Sequence, residues 1–225
     1  MGIFDLFTSR TCPECEKLKA ELKKYQAQSS SAEVIAKSIA NTIKSATAQA
    51  DVKQRPGAFL LTSLHASKPG SDAEFKALVQ TLQSYYTLVA RQTHRFNGEV
   101  DHYSLFEVLN LFFSPDCLAE ALYTAQEIQA AAKGSFPLGL SQFLFGDAFF
   151  SSVMGDPEIR MDYFTFSPVL LDIQTTLPTL VTPGHSQLVS DTALREQLGT
   201  AFPGLPITEK ILPSGRKVLQ ITFAS

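Results

Sequence analysis

Two cysteines at C-x-x-C spacing, Cys12 and Cys15, are the clearest candidates for chemistry in this chain. Thiolates so placed supply half of a tetrahedral zinc site, and no second pair exists in the chain to complete it. Two copies brought together would assemble an intersubunit zinc site with four cysteine ligands. A dithiol redox switch competes with that reading, because the positive field at a helix N-terminus lowers a thiol pKa. A surface pair with no task is the third reading. Cys117, at the start of an apolar-faced segment, reads as a small buried residue.

The other polar groups are more scattered. His65, His94, His102 and His185 lie in different segments without metal-ligand spacing, and none forms a recognisable nucleophile–base pair. Asp101, His102 and Glu107 lie close enough in sequence for a relocated active site, although strand alternation sends neighbours to opposite faces. Gly146-Asp147 and the Gly155-Asp156-Pro157 turn serve as backbone punctuation, since neither belongs to a phosphate-cradling motif.

These groups must be positioned by one sizeable core. A chain of 225 residues, 44% hydrophobic, suits one domain plus an extension. Net charge of −3 provides no basic field for nucleic acid. Three cysteines make no disulfide framework, no secretory leader pattern opens the chain, and no apolar run reaches the ~20 residues of a spanning helix, so a cytoplasmic location is expected. Ile3, Phe4 and Phe7 within residues 1–7 would touch a membrane surface only weakly; a frayed or locally packed terminus is favoured.

Residues 1–56 are expected to form an N-terminal extension. A helix over 14–28 carries Leu18, Leu22 and Tyr25, and a second apolar stripe, including Ile35, Ile39 and Ile43, suits helix pairing or packing back on the chain's own globular domain. Arg55-Pro56-Gly57 breaks this helix and marks the boundary. Residues 57–225 then alternate: strand 58–64; helix 72–94 capped by Asp72, with Phe75, Leu78, Val79, Leu82, Tyr86 and Val89 on its apolar face; strands 99–103 and 107–113; a helix opened by Pro115-Asp116; strands 138–145 and 163–166; helices around 168–176 and 191–198; and strands 207–212 and 217–223. This order predicts an α+β fold, a ferredoxin-like βαββαβ core with extra strands.

Residues 94–113, running from His94 through Asn97-Gly98 to Phe113, resemble the class III adenylate/guanylate cyclase pattern H-x-G-G followed by V-x-K-x-I-G-D. Residues 137–163, with Gly146, Gly155, Asp162 and Tyr163, and residues 186–223, with Leu188-Val189-Ser190-Asp191-Thr192, continue that resemblance in order. It implies a nucleotide-cyclase-like fold and two divalent cations held by two aspartates. It also places the first aspartate at Thr62 or Ser63, the second at Phe106 with Leu105 for the glycine, the purine-reading pair at His102 and Phe164, and the ribose and transition-state residues at Leu171 and Thr175. None of these supplies the family's group, which removes metal binding, base selection and electrostatic stabilisation together.

The apolar replacements, Phe106, Phe164, Phe166, Leu170 and Leu171, fall where the resemblance implies a dimer interface, which is favoured over a ligand groove or the filling of a monomer's core. The expected function is therefore a catalytically inactive, homodimeric cyclase-like domain binding itself or an unidentified protein. A sensor with a modified nucleotide or small-molecule pocket is the alternative, and an enzyme relocated to Asp101, His102 and Glu107 the third.

Overall fold

The computed structural model describes residues 53–156, 160–180 and 184–223. Cys12, Cys15, Ile35, Ile39, Ile43, the expected helices before residue 53 and residues 1–7 lie outside the described residues. The compact unit described below spans residues 53–152 and 164–223; strand residues 153–156 and 160–163 group with a second unit.

Eight strands and four α-helices form the described chain. They are β1 (Lys53–Leu64), α1 (Asp72–Arg95), β2 (Glu99–Tyr103), β3 (Glu107–Phe112), α2 (Cys117–Ala132), β4 (Leu140–Asp156), β5 (Arg160–Phe166), α3 (Pro168–Leu180), β6 (Ser186–Asp191), a 3₁₀ turn (Thr192–Leu194), α4 (Arg195–Ala201), β7 (Ile207–Ile211) and β8 (Lys217–Phe223). The sheet order is β2-β3-β1-β4-β6-β8-β7, with β5 pairing β4. The first four strands and two helices reproduce the expected ferredoxin-like core, with β6, β8 and β7 added beyond β4. Only β4 and β6 run parallel among the registered pairs.

Side-chain alternation along β1 builds two cores. Ala58, Leu60 and Leu64 pack with Tyr85 and Val89 of α1 and with Ala121, Ala125 and Ile128 of α2. Phe59 and Leu61 point to the opposite face, where Val169, Leu170 and Ile173 of α3 cover Phe143, Phe145 and Phe149 of β4. A strand covered on both faces reads as a continuous apolar run, which is why Ala58–Leu64 is so legible.

Three differences from expectation have physical reasons. Pro56 does not mark a break: β1 starts at Lys53 and pairs β4 through that stretch, whereas pairing with β3 begins only at Ala58. With one neighbour there, a residue lacking an N–H can be accommodated. Gly57 is needed beside it, since a Cβ would stand 2.6 Å from the Phe112 carbonyl oxygen. Helix α1 is capped by Ser71 rather than Asp72, the Ser71 hydroxyl accepting the Glu74 N–H at 3.3 Å. Gly146-Asp147 lies inside β4, and the Asp147 carboxylate accepts the Val169 N–H at 3.0 Å, fixing the start of α3.

Candidate functional site

The β2–β3 hairpin closes at Ser104 and Glu107, which exchange main-chain hydrogen bonds of 2.8 and 3.3 Å and leave Leu105 and Phe106 at the tip. This tip is clamped from two sides. The Leu64 N–H donates to the Phe106 carbonyl at 2.7 Å, tying the tip to the end of β1. From α1, the Tyr86 hydroxyl reaches the Ser104 and Leu105 carbonyls at 2.8 and 2.9 Å, and the neighbouring Tyr85 hydroxyl donates to the Thr62 carbonyl at 2.6 Å. Burial raises the Tyr85 hydroxyl pKa well above its ordinary value, so this group stays a donor.

The clamp holds an apolar surface in water. Leu105 is 63% exposed, Phe75 58% and Val79 49%. With Leu78, Leu82 and Phe106 they line an open cleft of about 450 Å³, bordered by the 66–69 loop. Phe75 and Val79 were expected on the buried face of α1; Val89 is buried as expected, but the other buried residues of the helix are Tyr85 and Thr93. The first two turns of α1 thus keep Phe75 and Val79 at the surface, beside Leu105 and Phe106.

The positions where the resemblance expects metal ligands do not present carboxylates. Thr62 is fully buried and its hydroxyl has no hydrogen-bond partner. Ser63 is almost buried and pairs across the ladder with Glu107. A hydroxyl pair and a phenyl ring are unsuited to hard divalent cations, which take charged oxygen ligands. Among the described residues no three His, Cys, Asp or Glu side chains converge as a metal-binding group.

His102 comes near both Asp101 and Glu107, contrary to simple alternation. Strand β2 changes register between Val100 and His102, so Asp101 is an extra residue opposite no partner. Its carboxylate bonds His102 Nδ1 at 2.8 Å. That hydrogen bond raises the His102 pKa against the opposing effect of burial, with further help from the Asp101 and Glu107 charges. Burial raises the Glu107 pKa, partly offset by the charge of His102.

A second polar assembly was not anticipated from sequence. His65 Nδ1 stands 3.0 Å from the Leu138 carbonyl, and Nε2 stands 2.9 Å from Ser141 Oγ. Gln187 Nε2 donates to the same Ser141 Oγ at 3.0 Å, and Gln220 Nε2 donates to Gln187 Oε1. The Ser141 proton is therefore left for His65 Nε2, and the imidazole carries its own proton on Nδ1. Burial lowers the His65 pKa, opposed by the backbone bond. Ser141 is fully buried, so this pair is a structural tie across β1, β4, β6 and β8 and offers no nucleophile. Seventy-six positions separate its two members; the only sequence signal was polar residues inside apolar strands.

On the α3 side, Leu170 is only 2% exposed and belongs to the core, correcting its expected place on an interface, whereas Leu171 is 52% exposed. Helical periodicity explains the split: adjacent residues on a helix face different ways. The Phe166 ring is half-buried and stacks on Phe150 at 5.8 Å, and Phe164 lies in β5. The Thr175 hydroxyl donates to the Asp172 carbonyl at 2.9 Å, and the Asp172 carboxylate accepts from Arg216 Nε at 3.2 Å and Ser214 Oγ at 2.9 Å. Thr175 thus makes a local helix contact on its own turn.

No protein-family model matches this chain, and no curated protein matches it. Solved structures do. The guanylyl cyclase Cya2 superimposes with a TM-score of 0.57 at 17% identity, covering 76% of this chain and 92% of its own. The guanylate cyclase domain of RhGC from Catenaria anguillulae, in complex with GTP, gives 0.55 at 12%, covering 77% and 98%. The adenylyl cyclase CyaB from P. aeruginosa gives 0.53 at 13%, covering 78% and 97%. The chain has the fold of adenylyl and guanylyl cyclase catalytic domains. No described helix is long and apolar enough to cross a membrane.

Proposed function

We propose that this chain is a non-catalytic, cyclase-fold module that assembles as a homodimer through the apolar surface at the β2–β3 tip. The observation that carries the reading is the exposure of Leu105 beside Phe75 and Val79, at the turn where the resemblance expects a metal-binding aspartate. Three large apolar side chains in one cleft are costly in water unless covered, and contiguous patches of this kind mark interaction surfaces. Cyclisation needs carboxylates for two cations and fixed charges for the leaving pyrophosphate; Thr62, Ser63 and Phe106 provide neither. Leu171, exposed on α3 over the opposite face of the sheet, is a separate candidate contact and forms no part of this surface.

In this reading the N-terminal extension adds a clasp, with Cys12 and Cys15 of two chains sharing one zinc ion. A turnover assay with ATP and GTP, each with magnesium and with manganese, tests the catalytic half of the proposal. Cyclic nucleotide formation by the wild-type chain that is lost on changing Asp101, His102 or Glu107 would replace it with a relocated active site. No product above a protein-free control is the expected result.

A further inference from the structure

A second cleft opens on the α1/α2 side of the sheet, between the C-terminal half of α2 and the ends of β6 and β8, with a volume of about 450 Å³. Its walls are apolar: Phe136, Phe202, Leu205, Phe223 and the exposed Ala130. Phe202 and Phe223 are themselves fixed edge to face, their ring centres 5.2 Å apart, and Phe136 is held edge-on by Tyr85 at 6.0 Å. The aromatic walls are therefore braced from behind, and a ligand need not order them on entry.

The polar groups at this cleft are few and mostly committed. Gln126 Nε2 donates to the Ala201 carbonyl and Gln129 Nε2 to Gln142 Oε1, each at 2.9 Å. The Ser186 hydroxyl oxygen accepts the Leu140 N–H at 3.2 Å, which leaves its proton available. Behind Gln129, the buried Gln142 amide nitrogen has no hydrogen-bond partner. Lys133, also lining the cleft, forms no ion pair among the described residues and is its one cation. The available groups are thus a positive charge and a hydroxyl donor beside an apolar enclosure, with no carboxylate lining it.

We propose that this cleft is a binding site for a small amphipathic anion, with an apolar body against Phe136, Phe202 and Phe223 and a carboxylate-type head at Lys133 and Ser186. The volume falls within the range usual for small-molecule sites, which combine apolar walls with a few directing polar groups. The cleft shares no lining residue with the Leu105 cleft, so this site does not depend on the assembly reading.

Isothermal titration of the full chain with decanoate, and separately with 1-decanol, tests the assignment. The expected result is saturable binding at one site per chain, with decanoate at least about tenfold tighter than the alcohol. Lys133→Glu should weaken decanoate at least about tenfold while leaving the alcohol little changed, and Ala130→Trp should remove both by filling the enclosure. Both positions are exposed, and an unchanged thermal transition without ligand would show that the variants fold. Leu105→Ser should leave decanoate binding as in the wild type. Absence of saturable binding below about 1 mM, equal affinity for acid and alcohol, or binding insensitive to Ala130→Trp would each overturn the proposal.

Discussion

The main-chain N–H of Leu64 donates to the carbonyl of Phe106 at 2.7 Å, so the end of β1 and the tip of the β2–β3 hairpin are joined directly. These are the two places where the resemblance sets its aspartates. The scaffold that would bring two carboxylates together is intact, and its side chains are a buried threonine, a nearly buried serine and a half-exposed phenyl ring. This end of the sheet presents hydroxyl and apolar side chains at the positions where the resemblance sets carboxylates.

Thr62 provides a test of how its buried hydroxyl is accommodated. Its hydroxyl is buried without a partner, a state that costs about 1–3 kcal/mol. Thr62→Val should stabilise the domain by about 1 kcal/mol, read as a higher urea midpoint at unchanged slope. Tyr85→Phe, which removes the donor to the Thr62 carbonyl, should destabilise it by about 1–2 kcal/mol. A destabilising Thr62→Val would show that the hydroxyl has a structural partner after all.

The His65 tie predicts a pH dependence. Its folded pKa lies below the ordinary value, so the unfolded chain binds the proton more readily; stability from this group is full above pH ~6.5 and is lost as pH falls through the folded pKa. His102 acts in the opposite sense, because its raised pKa adds stability on the acid side that is lost as pH rises. The difference between wild type and His65→Gln, measured by urea unfolding from pH 8 to about pH 5, isolates the first effect. The wild type should lose stability relative to the variant on acidification; parallel curves would contradict the tie.

Much of the fold was legible because burial and period coincided. Glu99–Tyr103 and Lys217–Phe223 have the strand limits expected, and on the apolar face of α2 Ala121, Leu122, Ala125 and Ile128 are buried as its spacing implies, with Leu118 partly so. β6 gives no strand signal in the sequence, since Gln187 and Ser190 interrupt its apolar run, yet both are buried and Gln187 is satisfied by side-chain bonds with neighbouring strands. The candidate site was legible in its residue types and less so in its geometry. Periodicity alone assigned Phe75 and Val79 inward, because it reports a helix stripe without showing which of its turns the core covers. The Asp101–His102 pair depends on a bulge that alternation does not signal.

The extension carries its own prediction. Purified full-length chain should hold about one zinc ion per two chains, measured by elemental analysis, and Cys12→Ser with Cys15→Ser should remove it. Zinc retained in that variant would place the metal elsewhere and dismiss the clasp.

Assembly through the Leu105 cleft is tested most directly by the solution mass of the full-length chain from light scattering, compared between wild type and Phe75→Ser combined with Leu105→Ser. Both side chains are exposed in the single chain, so the substitutions should shift folding stability by no more than about 1 kcal/mol in sum. The account predicts a dimer for the wild type and a monomer for the variant. A monomeric wild type, or a variant that stays dimeric at the same concentration, would contradict it.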